Sequence, residues 1–273
     1  MSLSSLLNQK DVRAKFRQEF PKPKMSNNRE LLAPPLTTNY FLIGTAFDYL
    51  MRFQLKARNP QAIEQYWVAE DSLRLLKEKR LIRLYEQGYL IITEARENYA
   101  SFLKTQQITD ELIKSALLLS KLDSFYRAGR IDENLLELNE KDIEDLRKLL
   151  AITDLSLFNP SEVLLLNPSF GLASIQVGGA DADLIIDDLL IDIKTTKNFK
   201  LEQDDFNQLM GYYTLNKIDG IDGAPPGHEI KRLGIYFSRF AYLFVFNIAD
   251  VVPLLTFPQF LEWFQKRAAM NAH

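Results

Sequence analysis

The chain has no cysteine and only two histidines, His228 and His273, among its 273 residues. The first absence excludes a disulfide framework and thiolate metal sites, and it fits a reducing cytoplasm. The second nearly excludes chemistry built on several histidines, so an active site has to rest on carboxylates, lysine, tyrosine or hydroxyls. No apolar run approaches the ~20 residues of a membrane-crossing helix. Residues 1–7 lack the basic start and long apolar core of a signal peptide. Together these absences predict a cytoplasmic protein without membrane association. An excess of one charge sign is missing too. The net charge of −3 argues against a uniformly basic nucleic-acid coat and leaves room for a local basic groove. Against these absences, hydrophobic residues make up 47% of the chain and charged residues 25%, which is enough for a real core.

Proline punctuates residues 1–38 at Pro21, Pro23, Pro34 and Pro35. This predicts irregular backbone with one short helix over 5–20, whose Lys10, Arg13, Lys15 and Arg17 form a solvated face. Thr38-Asn39 reads as the cap of a helix running to about Lys56. Along it Gly44, Thr45 and Ala46 permit close packing, and Asp48 falls one turn after Gly44 on the same face. Residues 60–150 read as helical throughout. Ile63, Tyr66 and Trp67, then Tyr99, Phe102 and Leu103, then Leu112, Ala116, Leu119 and Leu122 keep helical spacing, with a turn at Arg130-Ile131-Asp132. The block is expected to form a helical insertion or cap on one side of a sheet.

From Val163 the period changes. Residues 163–166 and 173–177 read as strands with a turn at Asn167-Pro168 and Gly171 between them. After a polar hairpin and a loop over 195–200 comes an amphipathic helix over 201–216. Phe206, Leu209, Met210 and Tyr213 are its buried stripe, and Gln208 and Tyr212 lie one turn apart on an adjacent flank. A Gly/Pro loop over 219–227, strands over 233–237 and 242–246 and a helix over 258–268 complete the chain. This order predicts an α/β (α+β) architecture, a mixed sheet flanked by helices.

The hairpin, residues 183–194, carries the chemistry. With Asp187 and Asp188 as its two-residue turn, Ile186 pairs with Leu189, Ile185 with Leu190, Leu184 with Ile191 and Asp183 with Asp192. Strand alternation then puts Asp181, Asp183, Asp192 and Lys194 on one face, and Leu184, Ile186, Leu189, Ile191 and Ile193 on the other. Asp187 and Asp188 are turn residues without a chemical role. Two opposed carboxylates repel and need a compensating charge. Lys194 supplies part of it, and a divalent cation would supply the rest.

Asp183, Asp192-Ile193-Lys194 and Gln208-Leu209-Met210-Gly211-Tyr212, in that order, resemble the PD-(D/E)XK nuclease superfamily, in particular its RecB-like branch. Residues 178–213 carry the match, and Gly44 to Asp48 adds an element where a histidine is common in that branch. The proline of the pattern is absent, with Ala182 before Asp183. Asp181 competes with Asp183 for its place on the active face.

The resemblance implies a restriction-endonuclease-like mixed central sheet flanked by helices, with residues 1–273 as one nuclease-like domain and 60–150 as its helical insertion. It implies Mg²⁺ or Mn²⁺ held by Asp183, Asp192, the Ile193 carbonyl and Asp48. Asp183, Asp192, Lys194, Gln208 and Tyr212 form the implied catalytic set. Lys194 would orient or deprotonate the attacking water, or stabilise charge on the phosphate; Gln208 and Tyr212 would brace it or touch the phosphate backbone. Lys197 and Lys200 are candidate DNA contacts, and Arg239, between two strands, is a further cation that could reach phosphate. The expected function is metal-dependent hydrolysis of DNA, with RNA open as a substrate. Two other classes stay open: a catalytically silent nuclease fold that binds nucleic acid or scaffolds a complex, and a metal-dependent hydrolase of a small phosphorylated substrate.

Overall fold

The structure, a computed structural model, describes residues 2–25, 28–129, 132 and 134–270. The expected turn at Arg130-Ile131-Asp132 lies largely outside them, as does His273.

The single helix expected over 5–20 is two: α1 (Leu3–Leu7) and α2 (Lys10–Glu19), broken at Asn8-Gln9. The helix expected from Asn39 is α3 (Tyr40–Arg58). The Asn39 side chain does not cap it; its amide donates instead to the Asp142 carboxylate, 2.9 Å away. Residues 60–150 are not helical throughout. Ile63–Glu64 forms a short strand, β1, before α4 (Val68–Glu78), α5 (Ile82–Thr105), α6 (Asp110–Ala128) and α7 (Glu140–Ile152). Ile63 and Glu64 pair with a strand about a hundred residues later, which local periodicity cannot reveal.

That later strand is β2 (Leu164–Leu166). The second strand expected here, 173–177, is a helix, α8 (Gly171–Gln176). Gly171 sits at φ +53, and two distant carboxylates cap the new helix. Asp222 accepts from the Gly171 N–H, and Asp219 accepts from those of Leu172 and Ala173. Ala173 and Val177, four residues apart, are buried while Ile175 between them is 72% exposed, so the apparent alternation serves a helix face and not a strand.

The hairpin forms in the predicted register. β3 (Leu184–Ile186) and β4 (Leu189–Lys194) pair Ile186 with Leu189, Ile185 with Leu190 and Leu184 with Ile191. Asp187 takes the left-handed conformation at φ 52. The two turn aspartates have structural work. Asp187 accepts the N–H groups of Ser161, Glu162 and Val163 at 2.8–3.0 Å, and Asp188 pairs with Arg232.

Then follow α9 (Gln203–Asp219), β5 (Arg232–Phe237), β6 (Tyr242–Asn247) and α10 (Phe257–Ala269). The six strands lie in sequence order in one mixed sheet; β1–β2 and β4–β5 are parallel and the other pairs antiparallel. Parallel neighbours need long crossovers. The α4–α7 block makes the first and α9 the second.

Strand parity sorts the core. Leu164, Leu166, Leu184, Ile186, Leu189 and Ile191 pack with α3 to α7 on one face. Leu165, Ile185, Leu190, Leu233, Ile235 and Phe237 pack with α1, α2, α8, α9 and α10 on the other. α9 is buried on nearly every side rather than along one stripe. A Cβ at Gly211 would press on Leu3 and Leu7 at 3.1–3.3 Å, so glycine there lets α1 close over the helix.

Candidate functional site

The site lies where β4 runs out of the sheet and both helical layers reach round its end. Asp192, alternating with Leu190, points to the α9 layer and is 3% exposed. Asp183 lies one step beyond the Leu184–Ile191 pair. Its carboxylate accepts the Ile193 N–H at 2.5 Å, which ties it to the last turn of β4.

Lys194 is the centre of a polar chain. Its Nζ stands 2.8 Å from Asp192 Oδ2 and 3.5 Å from Asp205 Oδ1, and it donates to Gln208 Oε1 at 2.8 Å. Gln208 Nε2 in turn donates to the Tyr212 hydroxyl at 2.8 Å. The Tyr212 ring stacks on Phe170 with centroids 5.6 Å apart. The one-turn spacing on α9 thus links Tyr212 to Lys194 through Gln208.

From the opposite layer comes α3. Gly44 lies over the chain just past β4, where a Cβ would stand 3.9 Å from that of Thr195. One turn on, Asp48 Oδ2 accepts from Arg52 at 2.7 Å. Arg52 is 2% exposed and lies 4.3 Å above the Tyr49 ring.

Three carboxylates share the electric field here. Burial pushes Asp183 well above the usual carboxylate range, and the negative charges of Asp48 and Asp192 push it further; the Ile193 N–H and Lys194 only partly offset this. Burial also raises Asp48 against the pull of Arg52. It raises Asp192 against the pull of Lys194, with Asp205 and Asp48 adding to the rise. Burial works against the charge of Lys194, yet Asp192 and Asp205 outweigh it and hold the amine above its ordinary value. Lys194 is therefore an ammonium at neutral pH.

Two oxygens in this cluster are buried without a hydrogen bond, Asp48 Oδ1 and Asp192 Oδ2. The second touches the Lys194 ammonium at 2.8 Å, as an ion pair out of hydrogen-bond alignment. Side-chain exposures of 16% for Asp48 and 24% for Lys194 leave the cluster recessed but reachable from solvent. Among the described residues, no three His, Asp or Glu side chains stand close enough to form a metal cage by themselves.

The structure thus brings Asp48, Asp183, Asp192, Ile193, Lys194, Gln208 and Tyr212 together. Asp181 is turned aside, with its carboxylate held by Arg127 at 2.7 and 3.3 Å. Lys197 lies on the exposed rim, 5.8 Å above the Tyr40 ring. Lys200 is also exposed but engaged with Glu202 at 3.1 Å. Arg239 is excluded from any phosphate contact. It is wholly buried and bidentate to Asp145 at 2.8 and 2.9 Å.

Sequence reading missed Arg52, Asp205 and Arg127. The first two carried a signal: Arg52 is four residues after Asp48, and Asp205 three before Gln208, so each shares a helix face with a candidate residue. Arg127 carried none, being 54 residues from Asp181. Comparison of the chain with family models, curated proteins and solved structures finds no match.

Proposed function

We propose that the chain is a metal-dependent nuclease that hydrolyses DNA phosphodiester bonds, on a restriction-endonuclease-like sheet of the PD-(D/E)XK kind. One observation carries the reading. Asp48, Asp183 and Asp192 lie within one another's electric field at the end of β4, beside an ammonium that Gln208 engages and Tyr212 braces through Gln208.

The donor set suits Mg²⁺ or Mn²⁺. It is made of oxygen only, it carries more negative charge than its neighbours neutralise, and of its buried carboxylate oxygens Asp48 Oδ1 has no hydrogen-bond partner and Asp192 Oδ2 meets only the Lys194 ammonium. Asp183, Asp192 and Asp48 would hold the ion, with the Ile193 carbonyl beside them. When bound, such an ion polarises the scissile phosphate and acidifies a coordinated water.

The chain's own residues do the rest. Asp183 is oriented by the Ile193 N–H. Lys194 donates hydrogen bonds as a cation, so it orients the attacking water and stabilises negative charge on phosphoryl oxygens. Gln208 and Tyr212 fix the direction of the ammonium, since their polar ends are used on Lys194 and on each other. Lys197, on the rim, meets the backbone of the bound strand.

The test incubates purified protein with linear and circular DNA, single- and double-stranded, and with RNA, in Mg²⁺, Mn²⁺ or EDTA. Cleavage by the wild type only with metal, lost in Asp192→Asn and Lys194→Met variants that keep the wild-type circular dichroism, supports the assignment. Equal cleavage by the variants refutes it. The lack of a ready three-ligand cage favours a second reading, a catalytically silent fold that binds nucleic acid. Binding without cleavage of any substrate selects that reading.

A further inference from the structure

The helical block sends one cation to the edge of the site. Arg127, near the end of α6, forks onto both oxygens of Asp181 and lies 3.8 Å from Asp123. Its side chain is 39% exposed, whereas Arg52, the other arginine beside the acids, is 2% exposed. Only Arg127 of the two can meet a ligand. Its charge bears on Asp48 and Tyr212. Asp181 precedes Asp183 by two residues. Its backbone bridges to Ser169, and Ser169, Gly179 and Tyr126 line a cleft of about 730 Å³ alongside.

Resting on the nuclease reading, we propose that Arg127 is the arginine that grips a phosphate of the substrate strand next to the scissile one, and that Asp181 occupies its place until the substrate arrives. The chemistry is an exchange of like ligands. A guanidinium fork binds a carboxylate or a phosphate through the same two parallel N–H groups. A backbone phosphodiester carries one negative charge and two terminal oxygens, as the carboxylate does, so the exchange conserves both hydrogen bonds of the fork, and the other contacts of the strand supply the preference. The carboxylate holds Arg127 extended beforehand, so little side-chain freedom is lost on binding. Asp181 thereby acts as a competitor of the substrate, which explains an acid on the catalytic face that turns away from the other acids.

The two partners should respond with opposite signs. Binding of a fluorescent DNA oligonucleotide is measured in EDTA, where cleavage does not intervene, as a function of salt. Arg127→Ala should weaken binding about tenfold and lower the salt slope by about one counterion, as loss of one phosphate contact requires. Arg127→Lys should recover the slope but only part of the affinity, because the fork is gone. Asp181→Asn should tighten binding. In the metal-containing assay, Arg127→Ala should raise KM more than it lowers kcat. An unchanged salt slope in Arg127→Ala, or weaker binding in Asp181→Asn, overturns the proposal and leaves the pair as a tie between α6 and the sheet. Failure of the nuclease reading shows separately, as absence of metal-dependent cleavage by a wild type that still binds DNA through Arg127.

Discussion

Replacing Asp183 by asparagine should stabilise the metal-free protein while abolishing cleavage. Asparagine keeps the shape and can still accept the Ile193 N–H through its amide oxygen. It removes a buried charge that Asp48 and Asp192 both repel. For opposed strand residues about 5 Å apart, at an effective dielectric constant near 20, one such like pair costs roughly 3 kcal/mol. Lys194 offsets part of this, so a net gain of about 1–2 kcal/mol is expected, or a rise in Tm of about 2–8 °C for a chain of this size. The sign of the pH dependence follows from the raised pKa of Asp183. The folded state holds the proton more tightly than the unfolded chain. Wild-type stability therefore falls as pH rises from about 4 through the folded pKa. The advantage of the variant should be small at pH ~4 and grow as the pH rises through the folded pKa. Thermal melts at both pH values, with EDTA and with excess Mg²⁺, measure it. Mg²⁺ should raise the wild-type Tm and leave the variant nearly unmoved. A variant less stable than wild type at neutral pH would refute the repulsion on which the metal site rests.

The other expectations concern the frame. Arg239→Met leaves Asp145 charged and buried, at a cost of about 3–5 kcal/mol, whereas Arg239→Met with Asp145→Leu should recover most of the loss in urea denaturation. Gly171→Ala places a Cβ against the Asp219 carboxylate at a positive φ, and should lower stability by roughly 1–3 kcal/mol. Burial pushes Asp123 up to about 7, against Arg127 and the Tyr49 hydroxyl. Its ionisation costs stability as pH rises from about 4 to 7, so Asp123→Asn should gain on wild type between pH 5 and 8 by on the order of 2 kcal/mol.

How much of this was legible in the sequence depended on how local the cause was. The hairpin register was readable because a two-residue polar turn and a period of two fix every partner without outside help. The contact of Gln208 with Tyr212 followed from a one-turn spacing, whereas the contact of Gln208 with Lys194 was implied only by the resemblance. The strand expected over 173–177 failed because the carboxylates that cap α8 there, Asp219 and Asp222, lie about fifty residues further on. β1 was hidden for the same reason, and so was Arg127. All four residues of the expected α9 stripe are buried, and the other side of the helix is buried as well because α1, some two hundred residues earlier, closes over Gly211. Asp48 shares a helix face with Gly44, as its spacing predicts, whereas nothing local marks Arg239, equally basic and equally close to a strand end, as a buried residue.

That burial supplies a comparison within the same molecule. Arg239 and Asp145 make a closed ion pair: one acid and one base, a bidentate contact, the remaining guanidinium capacity partly used on the Ala33 carbonyl, and no water access. A pair like this needs no further acid. At the end of β4 the same fold sets four acids, Asp192, Asp205, Asp183 and the Arg52-paired Asp48, against two bases, Lys194 and Arg52. Gln208 already engages the ammonium that could have turned fully to the acids. A structural salt bridge gains nothing from extra carboxylates whose pKa values burial and repulsion then raise. The surplus acids make physical sense if a cation outside the chain completes the balance, and the retained opening to solvent gives that cation, and a phosphate, a way in.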